Sequence, residues 1–320
     1  MYFTPDAYKD FDNEARGRFG GVGLEVTVKD GVLTVVSPLD DSPAWKAGIK
    51  SGDRIVSIDG VSTRDMTLST AAAQMRGSLG KKITLGIWHA GQVRPVTLTR
   101  AVVNVPGVKV EDLGDGYALF RITEFQENVD RDFKDAVEKF EQKNSLKGLI
   151  LDLRDNPGGL LQEAVKIADT FIDEGVIVST RGRNQVLDVY KAHQAGTFKN
   201  IPIVVLINGG SASASEILAA ALGDNKRATL MGTQSFGKGS VQIVINLDNG
   251  DAVKITNQYY YTPHDKLIDG RGITPDVILD DKAYRKKMNI KSDAELTVTR
   301  EEFDGFQKQV ALEYLKRMGR

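Results

Sequence analysis

The rhythm of hydrophobic and polar positions changes once along this chain, near Val105-Pro106-Gly107. From Gly20 to about Ala101, short apolar runs at 23–26, 33–36, 53–58, 83–87 and 93–98 alternate with glycine-containing turns. Runs this short, rich in Val and Ile and bounded by glycine, predict strands, and together they predict a small, mostly β domain. Two helices interrupt it. Ser42-Pro43 opens and Gly48 closes a short one, and Leu68 to Met75 makes a longer one. Downstream the units lengthen. A strand at 117–122 precedes an amphipathic helix from Val129 to Lys143, in which Phe133, Val137 and Phe140 recur at helical spacing. An apolar strand at 149–153, a helix at 160–171, another apolar strand at 203–207 and a helix from Glu216 to Leu222 follow. Repeated strand–helix units predict an α/β core. The stretch 281–320 is charged and reads as helical, with Phe306, Val310, Leu312 and Leu315 forming an apolar stripe, and is expected to dock only loosely. The expected division is an N-terminal segment 1–19, a first domain 20–101, a second 102–280 and a C-terminal segment 281–320.

Composition narrows the function classes. With 320 residues, 41% of them hydrophobic, and 32 glycines, the chain can bury separate cores in two domains. Lys+Arg 42 against Asp+Glu 43 gives a net charge of −1, so no global field favours nucleic acid or an anionic membrane. The absence of cysteine excludes disulfides, thiolate metal sites and a cysteine nucleophile, and fits either an oxidising envelope compartment or the cytosol. No apolar run approaches the roughly 18 residues of a membrane span, and Met1-Tyr2-Phe3-Thr4-Pro5 lacks the layout of a signal peptide. The sequence therefore reads as cytosolic or as lacking a leader.

Two segments carry candidate chemistry: Ser211-Ala212-Ser213-Ala214-Ser215-Glu216 and Phe236-Gly237-Lys238-Gly239. A serine hydroxyl is a poor nucleophile until a base takes its proton, and a lysine serves as that base only when held neutral. Such a pair needs no histidine, metal or cofactor. Ser213 follows the strand at 203–207 and the Asn208-Gly209-Gly210 turn, at the start of a helix whose positive end can stabilise an oxyanion. Ser213-x-x-Glu216 is also a capping box, the commoner use of that pattern, and Ser211 and Ser215 are further candidates that local sequence does not separate. Around Lys238, Gly237 and Gly239 allow a sharp turn, while Phe236 and Val241 are expected to supply apolar surroundings favouring an uncharged amine. Gln242 can orient Lys238 only if Lys238 precedes the strand proper, because full extension would put their Cα atoms about 13 Å apart. Leu151 to Gly159 ends a strand and opens a helix through Asn156-Pro157-Gly158-Gly159, whose N–H groups suit an oxyanion, although such a turn also serves any strand-to-helix loop.

Two other chemistries fail on pattern. Gly232 to Lys238 fits the first positions of a phosphate-binding loop, but Gly239 stands where Ser or Thr is required, and 241–245 reads as strand where a helix must open. A Ser/His/Asp triad must draw on His89, His193 or His264, of which the first lies in the small β domain and the others in polar loop-like stretches.

Gly20-Gly21-Val22-Gly23-Leu24, Ser42-Pro43-Ala44, Ala47 to Asp53 and Ile58-Asp59-Gly60 resemble a PDZ domain. The resemblance implies that the loop Gly21, Val22, Gly23 and Leu24 presents N–H groups to a peptide's terminal carboxylate, while the peptide adds as a strand to the open sheet edge. Leu153 to Gly159, Ser211 to Glu216, Phe236 to Gln242, Tyr260-Tyr261-Thr262-Pro263 and Gly272 to Asp276 then follow in the order seen in C-terminal processing proteases, also called tail-specific proteases. That resemblance, from about Phe19 to Asp280, implies an α/β core of ClpP/crotonase-like type behind a small mostly-β PDZ domain. It implies Ser213 as nucleophile, Lys238 as general base, Gln242 as the residue holding the lysine, and Ala214 with Gly158 and Gly159 as oxyanion donors. It further implies a serine endopeptidase acting on proteins or peptides with free C-termini, without cofactor, metal or nucleic acid, in the cell envelope or periplasm. A homo-oligomer and an adaptor protein stay open as partners. Family members carry a leader or anchor and helical residues before the Tyr2-Phe3-Thr4-Pro5 region, which suggests a trimmed chain. The competing reading is a non-catalytic adaptor that binds protein C-termini.

Overall fold

The structure is a computed structural model that describes residues 2–5, 8, 18–29, 31–39, 42–89, 91–104, 107–182, 186–193, 198, 200–290 and 298–318. Most of the expected 1–19 segment, the Val105-Pro106 junction and residues 291–297 thus lie outside the described residues. Two compact units emerge, one built from 2–105 with 247–252, the other from 106–246 with 253–320.

In the smaller unit, β1 (Leu24–Lys29), β2 (Val32–Pro38), β3 (Arg54–Ile58), β4 (Lys82–His89) and β5 (Gln92–Thr99) form an antiparallel sheet in that order. Ile55, Ile83, Leu85 and Ile87 are buried beneath it. The helix α1 (Pro43–Lys46) starts where the Ser42 hydroxyl accepts the Trp45 N–H at 3.2 Å, with proline at the first helical position. The helix α2 (Leu68–Met75) is capped in the same way by Thr67. Strand β1 is an edge of the sheet, and α2 lies beside it.

The larger unit contains β6 (Val108–Gly114), β7 (Tyr117–Ile122), α3 (Val129–Lys143), β8 (Gly148–Asp152), α4 (Leu161–Asp169), β9 (Val176–Arg181), β10 (Val186–Lys191), β11 (Ile203–Ile207), α5 (Ala214–Asp224), β12 (Thr229–Gly232), β13 (Ser240–Asn246), β14 (Ala252–Tyr261), β15 (Val277–Ile278), α6 (Asp281–Lys287) and α7 (Arg300–Met318). Its main sheet runs β6-β7-β8-β11-β12-β15, parallel throughout except for β6. Along the central strands, alternate residues enter different cores. Phe120, Leu151 and Val205 pack on one face with Phe133, Ile167 and Leu218 of α3, α4 and α5, while Leu119, Ile150 and Leu206 pack on the other with Phe306 and Leu315 of α7. Burial on both faces is why these strands read as continuous apolar runs.

The second face corrects one expectation. The C-terminal segment does not dock loosely: Phe306, Ala311 and Leu315 are fully buried against the sheet. A parallel sheet left bare on one side would expose Ile150, Val204 and Leu206, and α7 covers them. Of the sheet that includes β13, β14, β9 and β10, the sequence pattern assigned β13 alone, as the strand at 241–245.

Candidate active site

The C-terminal ends of β8 and β11 deliver two loops to one place. After β11, Ser213 sits in a left-handed backbone conformation, φ +56° and ψ −116°, with α5 beginning at the next residue. Such a conformation is strained for any residue with a side chain and persists only where its surroundings enforce it. Here they do. The Ser211 hydroxyl donates to the Leu153 carbonyl at 2.8 Å and accepts the Asn208 N–H at 3.0 Å, and the Ser215 hydroxyl donates to the Asn156 carbonyl at 2.9 Å. The Ala212 N–H adds a bond to that same Asn156 carbonyl at 3.0 Å. Ser211 and Ser215 are fully buried and committed to these bonds, whereas Ser213 between them is partly exposed. Among the described residues, the Ser213 hydroxyl makes no bond to the 153–159 loop.

The 153–159 loop fits against this turn. Asn156 is fully buried, with its Nδ2 donating to the Ile122 carbonyl and its Oδ1 accepting the Gly158 N–H at 2.9 Å. Gly158 has φ +108°, and a Cβ there would come within 2.7 Å of the Ser213 Cβ and 3.0 Å of the Ala214 nitrogen. Only glycine permits that approach. One expected donor changes as a result: the Gly158 N–H is spent on Asn156, because the Asn-Pro turn closes on its own side chain. The N–H groups of Gly159 and Ala214 make none of the hydrogen bonds found among the described residues. Ala214 follows Ser213 at the positive end of α5, and Gly159 follows the glycine that packs on Ser213.

Glu216 is the residue whose part the sequence concealed. It is fully buried, and its carboxylate accepts four hydrogen bonds. Oε2 takes the N–H groups of Ser213 and Lys238, both at 2.8 Å, and Oε1 takes the Ser235 hydroxyl and the Gly237 N–H, both at 2.6 Å. One carboxylate therefore clasps the elbow to the lysine loop. The Phe236 N–H reinforces the clasp by donating to the Ser211 carbonyl at 3.0 Å. Ser-x-x-Glu did signal a helix start; the signal for more was an acid inside an otherwise apolar Ala- and Leu-rich helix.

Lys238 precedes β13, as an orienting role for Gln242 requires, and the chain continues into strand rather than the helix of a phosphate-binding loop. The expected apolar enclosure is absent. Phe236 is 68% exposed, and Lys238 and Gln242 are exposed too. Among the described residues no hydrogen bond joins the Lys238 amine to Ser213 or Gln242. The cause is that the clasp is made through backbone N–H groups, which fixes the loop while its side chains face outward. Nearby, burial and the Lys238 charge lower the pKa of Lys254. Each histidine pairs with an aspartate, His89 with Asp53, His193 with Asp169 and His264 with Asp224.

In the smaller unit, Gly21, Val22, Gly23 and Leu24 line a cavity of about 120 Å³ with Val26, Ala72, Met75 and Arg76. The Val22 carbonyl accepts the Ala44 N–H, and the Gly23 carbonyl accepts the Leu39 N–H and the Ser42 hydroxyl. In a planar peptide unit the N–H points opposite its C=O, so the N–H groups of Gly23 and Leu24 turn the other way. Gly23 has φ +74°, and a Cβ there would lie 2.1 Å from that of Ser42.

Residues 116–279, just over half of the chain, match the model of peptidase family S41, and residues 34–89 match a PDZ domain. The chain belongs to peptidase family S41. It is 46% identical over 287 residues to the carboxy-terminal-processing protease of Bartonella bacilliformis, an alignment covering 87% of this chain and 65% of that protein. With the carboxyl-terminal-processing protease of Synechocystis it shares 38% identity, over 86% of this chain and 66% of the relative. The solved structure of a photosystem II D1 C-terminal processing protease superposes with a TM-score of 0.58 at 31% identity, covering 88% of this chain and 77% of that one. The chain thus spans slightly less than two thirds of those two curated relatives. The resemblance read from the motifs holds, and the fold is a mixed α/β S41 peptidase core with a PDZ domain. Among the described residues, no helix is long and apolar enough to cross a membrane.

Proposed function

We propose that this protein is a serine endopeptidase that captures the C-terminal tail of a protein in its PDZ domain and cleaves upstream through an acyl-enzyme on Ser213. The Ser213 Oγ attacks the scissile carbonyl carbon, and the Lys238 Nζ takes its proton and returns it to the leaving amine nitrogen. Water then attacks the acyl carbon and frees Ser213. The N–H groups of Ala214 and Gly159 face the developing oxyanion, with Gly158 keeping the space between loop and elbow clear. Gln242, four residues along from Lys238, orients the amine. A peptide laid over Phe236 and Lys238 displaces water from both, which favours the neutral amine.

One observation carries this reading: of three neighbouring serines, Ser211 and Ser215 commit their hydroxyls to the 153–156 backbone while that of Ser213 makes no bond to that loop among the described residues, and the carboxylate that holds the Ser213 N–H also holds the lysine loop. A non-catalytic adaptor would have no use for that arrangement. The parallel sheet under two layers of helices supports a ClpP/crotonase-like core, and the names of the relatives support protein substrates, while an envelope location rests on the family resemblance alone. The test is digestion of two proteins that differ only in their last residues, alongside the same pair with amidated C-termini. The proposal expects cleavage that depends on the tail and its free carboxylate and stops in Ser213→Ala. Equal cleavage of all substrates removes the tail-capture step, and turnover by Ser213→Ala removes the nucleophile.

A further inference from the structure

The loop that carries Asn156 and the Gly158-Gly159 turn is also gripped from behind, by the C-terminal helix. Arg154 is 3% exposed. Its Nε and Nη2 donate to the two oxygens of Asp152, both at 2.8 Å, in a bidentate pair. Nη1 points elsewhere, to α7. It donates to the carbonyl and Oδ1 of Asp304 and to Oε1 of Gln307, each at 3.1 Å. Gln307 is itself 2% exposed, and its Nε2 donates to the Leu279 carbonyl at 2.8 Å, so its amide cannot turn away freely. The next loop residue is held from the same helix. Asp155 accepts from Arg300, while its N–H and Oδ1 bond the side chain of Asn208 at 2.9 and 3.2 Å, in the turn that leads to Ser213. Asp155 has φ +58°, and a Cβ on Gly210 would lie 2.8 Å from its Cα.

We propose that α7 is a working part of the active site: Gln307 and Asp304, through Arg154, and Arg300, through Asp155, are positioning residues that hold the oxyanion turn against the nucleophile elbow. The inference rests on the roles given above to Ser213, Gly159 and Ala214. Charge balance does not explain all of these contacts: Asp152 and Asp304 both pair with the guanidinium, and Gln307 adds an acceptor that carries no charge. What they add is direction, because three acceptors fix the free edge of a planar guanidinium two residues before Asn156. The neighbouring Leu153 carbonyl accepts the Ser211 hydroxyl, so a shift at Arg154 reaches the elbow as well as the turn. A displacement of about 1 Å in such a constellation can cost on the order of a hundredfold in rate.

The test compares Gln307→Met, Arg300→Gln and Ser213→Ala with the wild type by steady-state cleavage of one tailed protein substrate, with thermal unfolding measured in parallel. Gln307→Met is expected to lower kcat at least tenfold, and Arg300→Gln about threefold to tenfold, with KM within threefold for both, because tail capture does not use α7. The Arg300 side chain is 71% exposed, so Arg300→Gln stays folded and decides the matter if Gln307→Met does not. The proposal is overturned if the folded variants keep the wild-type kcat, or if only KM or thermal stability moves, while Ser213→Ala is inactive. If Ser213→Ala itself turns over, the reading of the site fails first.

Discussion

Replacing Glu216 by glutamine changes one oxygen to an NH₂ group at nearly constant shape, and so tests the clasp without opening a cavity. The four bonds to the carboxylate all come from donors. A glutamine can keep only one oxygen among them. If its NH₂ faced the N–H groups of Ser213 and Lys238, two bonds would be lost outright; the better choice puts it toward Ser235 and Gly237. The Ser235 hydroxyl can rotate to accept, which leaves the buried Gly237 N–H without a partner. An unsatisfied buried donor costs about 1–3 kcal/mol, and the two surviving bonds drop from charge-assisted strength, about 1.5–3 kcal/mol each, to roughly 1 kcal/mol. Relief from burying a charge offsets part of this. The expected net loss is about 2–4 kcal/mol, within what a domain of ordinary stability tolerates. The assay is urea unfolding of the wild type and Glu216→Gln, with turnover of a tailed substrate measured on the folded variant. A lowered midpoint at unchanged slope, with kcat down by roughly a hundredfold through the displaced lysine loop, is the expected result. An unchanged midpoint together with kcat within twofold would refute the claim that this carboxylate joins elbow and loop.

Other perturbations probe separate links. Gly158→Ala forces a side chain into a left-handed conformation, costing about 1–3 kcal/mol, and drives its Cβ into Ser213; both the denaturation midpoint and turnover should fall, and wild-type values for both would contradict the packing. Ser213→Ala should abolish cleavage with little loss of stability, whereas Ser211→Ala should cost about 1–3 kcal/mol in unfolding experiments by orphaning buried partners; the reverse pattern would reassign the two serines. Burial, with Tyr190 adding to it, pushes the Tyr260 phenol up to about 12 from its ordinary value of 10.0. Between those pH values the unfolded chain has lost a proton that the folded chain keeps, so stability should fall by about 2–3 kcal/mol as pH rises through that window; Tyr260→Phe should remove the fall, and its persistence would place the cause elsewhere. Lys238→Ala should abolish cleavage while leaving the unfolding midpoint close to that of the wild type, and retained turnover would count against the lysine as base.

What the sequence disclosed follows from how local each cause is. Strands such as 203–207 were legible because burial on two faces makes every position apolar, and the helix from Val129 to Lys143 because one buried face repeats at helical spacing. The choice of Ser213 from the residues alone was not possible, since it depends on where the hydroxyls of Ser211 and Ser215 find partners, in a loop more than fifty residues away. Glu216 was hidden behind a motif it also satisfies. The docking of α7 depends on Arg154 meeting Gln307, 153 positions on, which no local pattern records. The exposure of Phe236 was misjudged for the same reason: an aromatic neighbour in sequence encloses an amine only if the loop folds inward.

The account stands most directly on which atom of the protein becomes acylated. Mixing the protein with an activated peptide ester, quenching in acid during turnover and locating the added mass by fragmentation should place the acyl group on Ser213, with none in Ser213→Ala. Product release with the label on Ser211, Ser215 or no serine at all would contradict it.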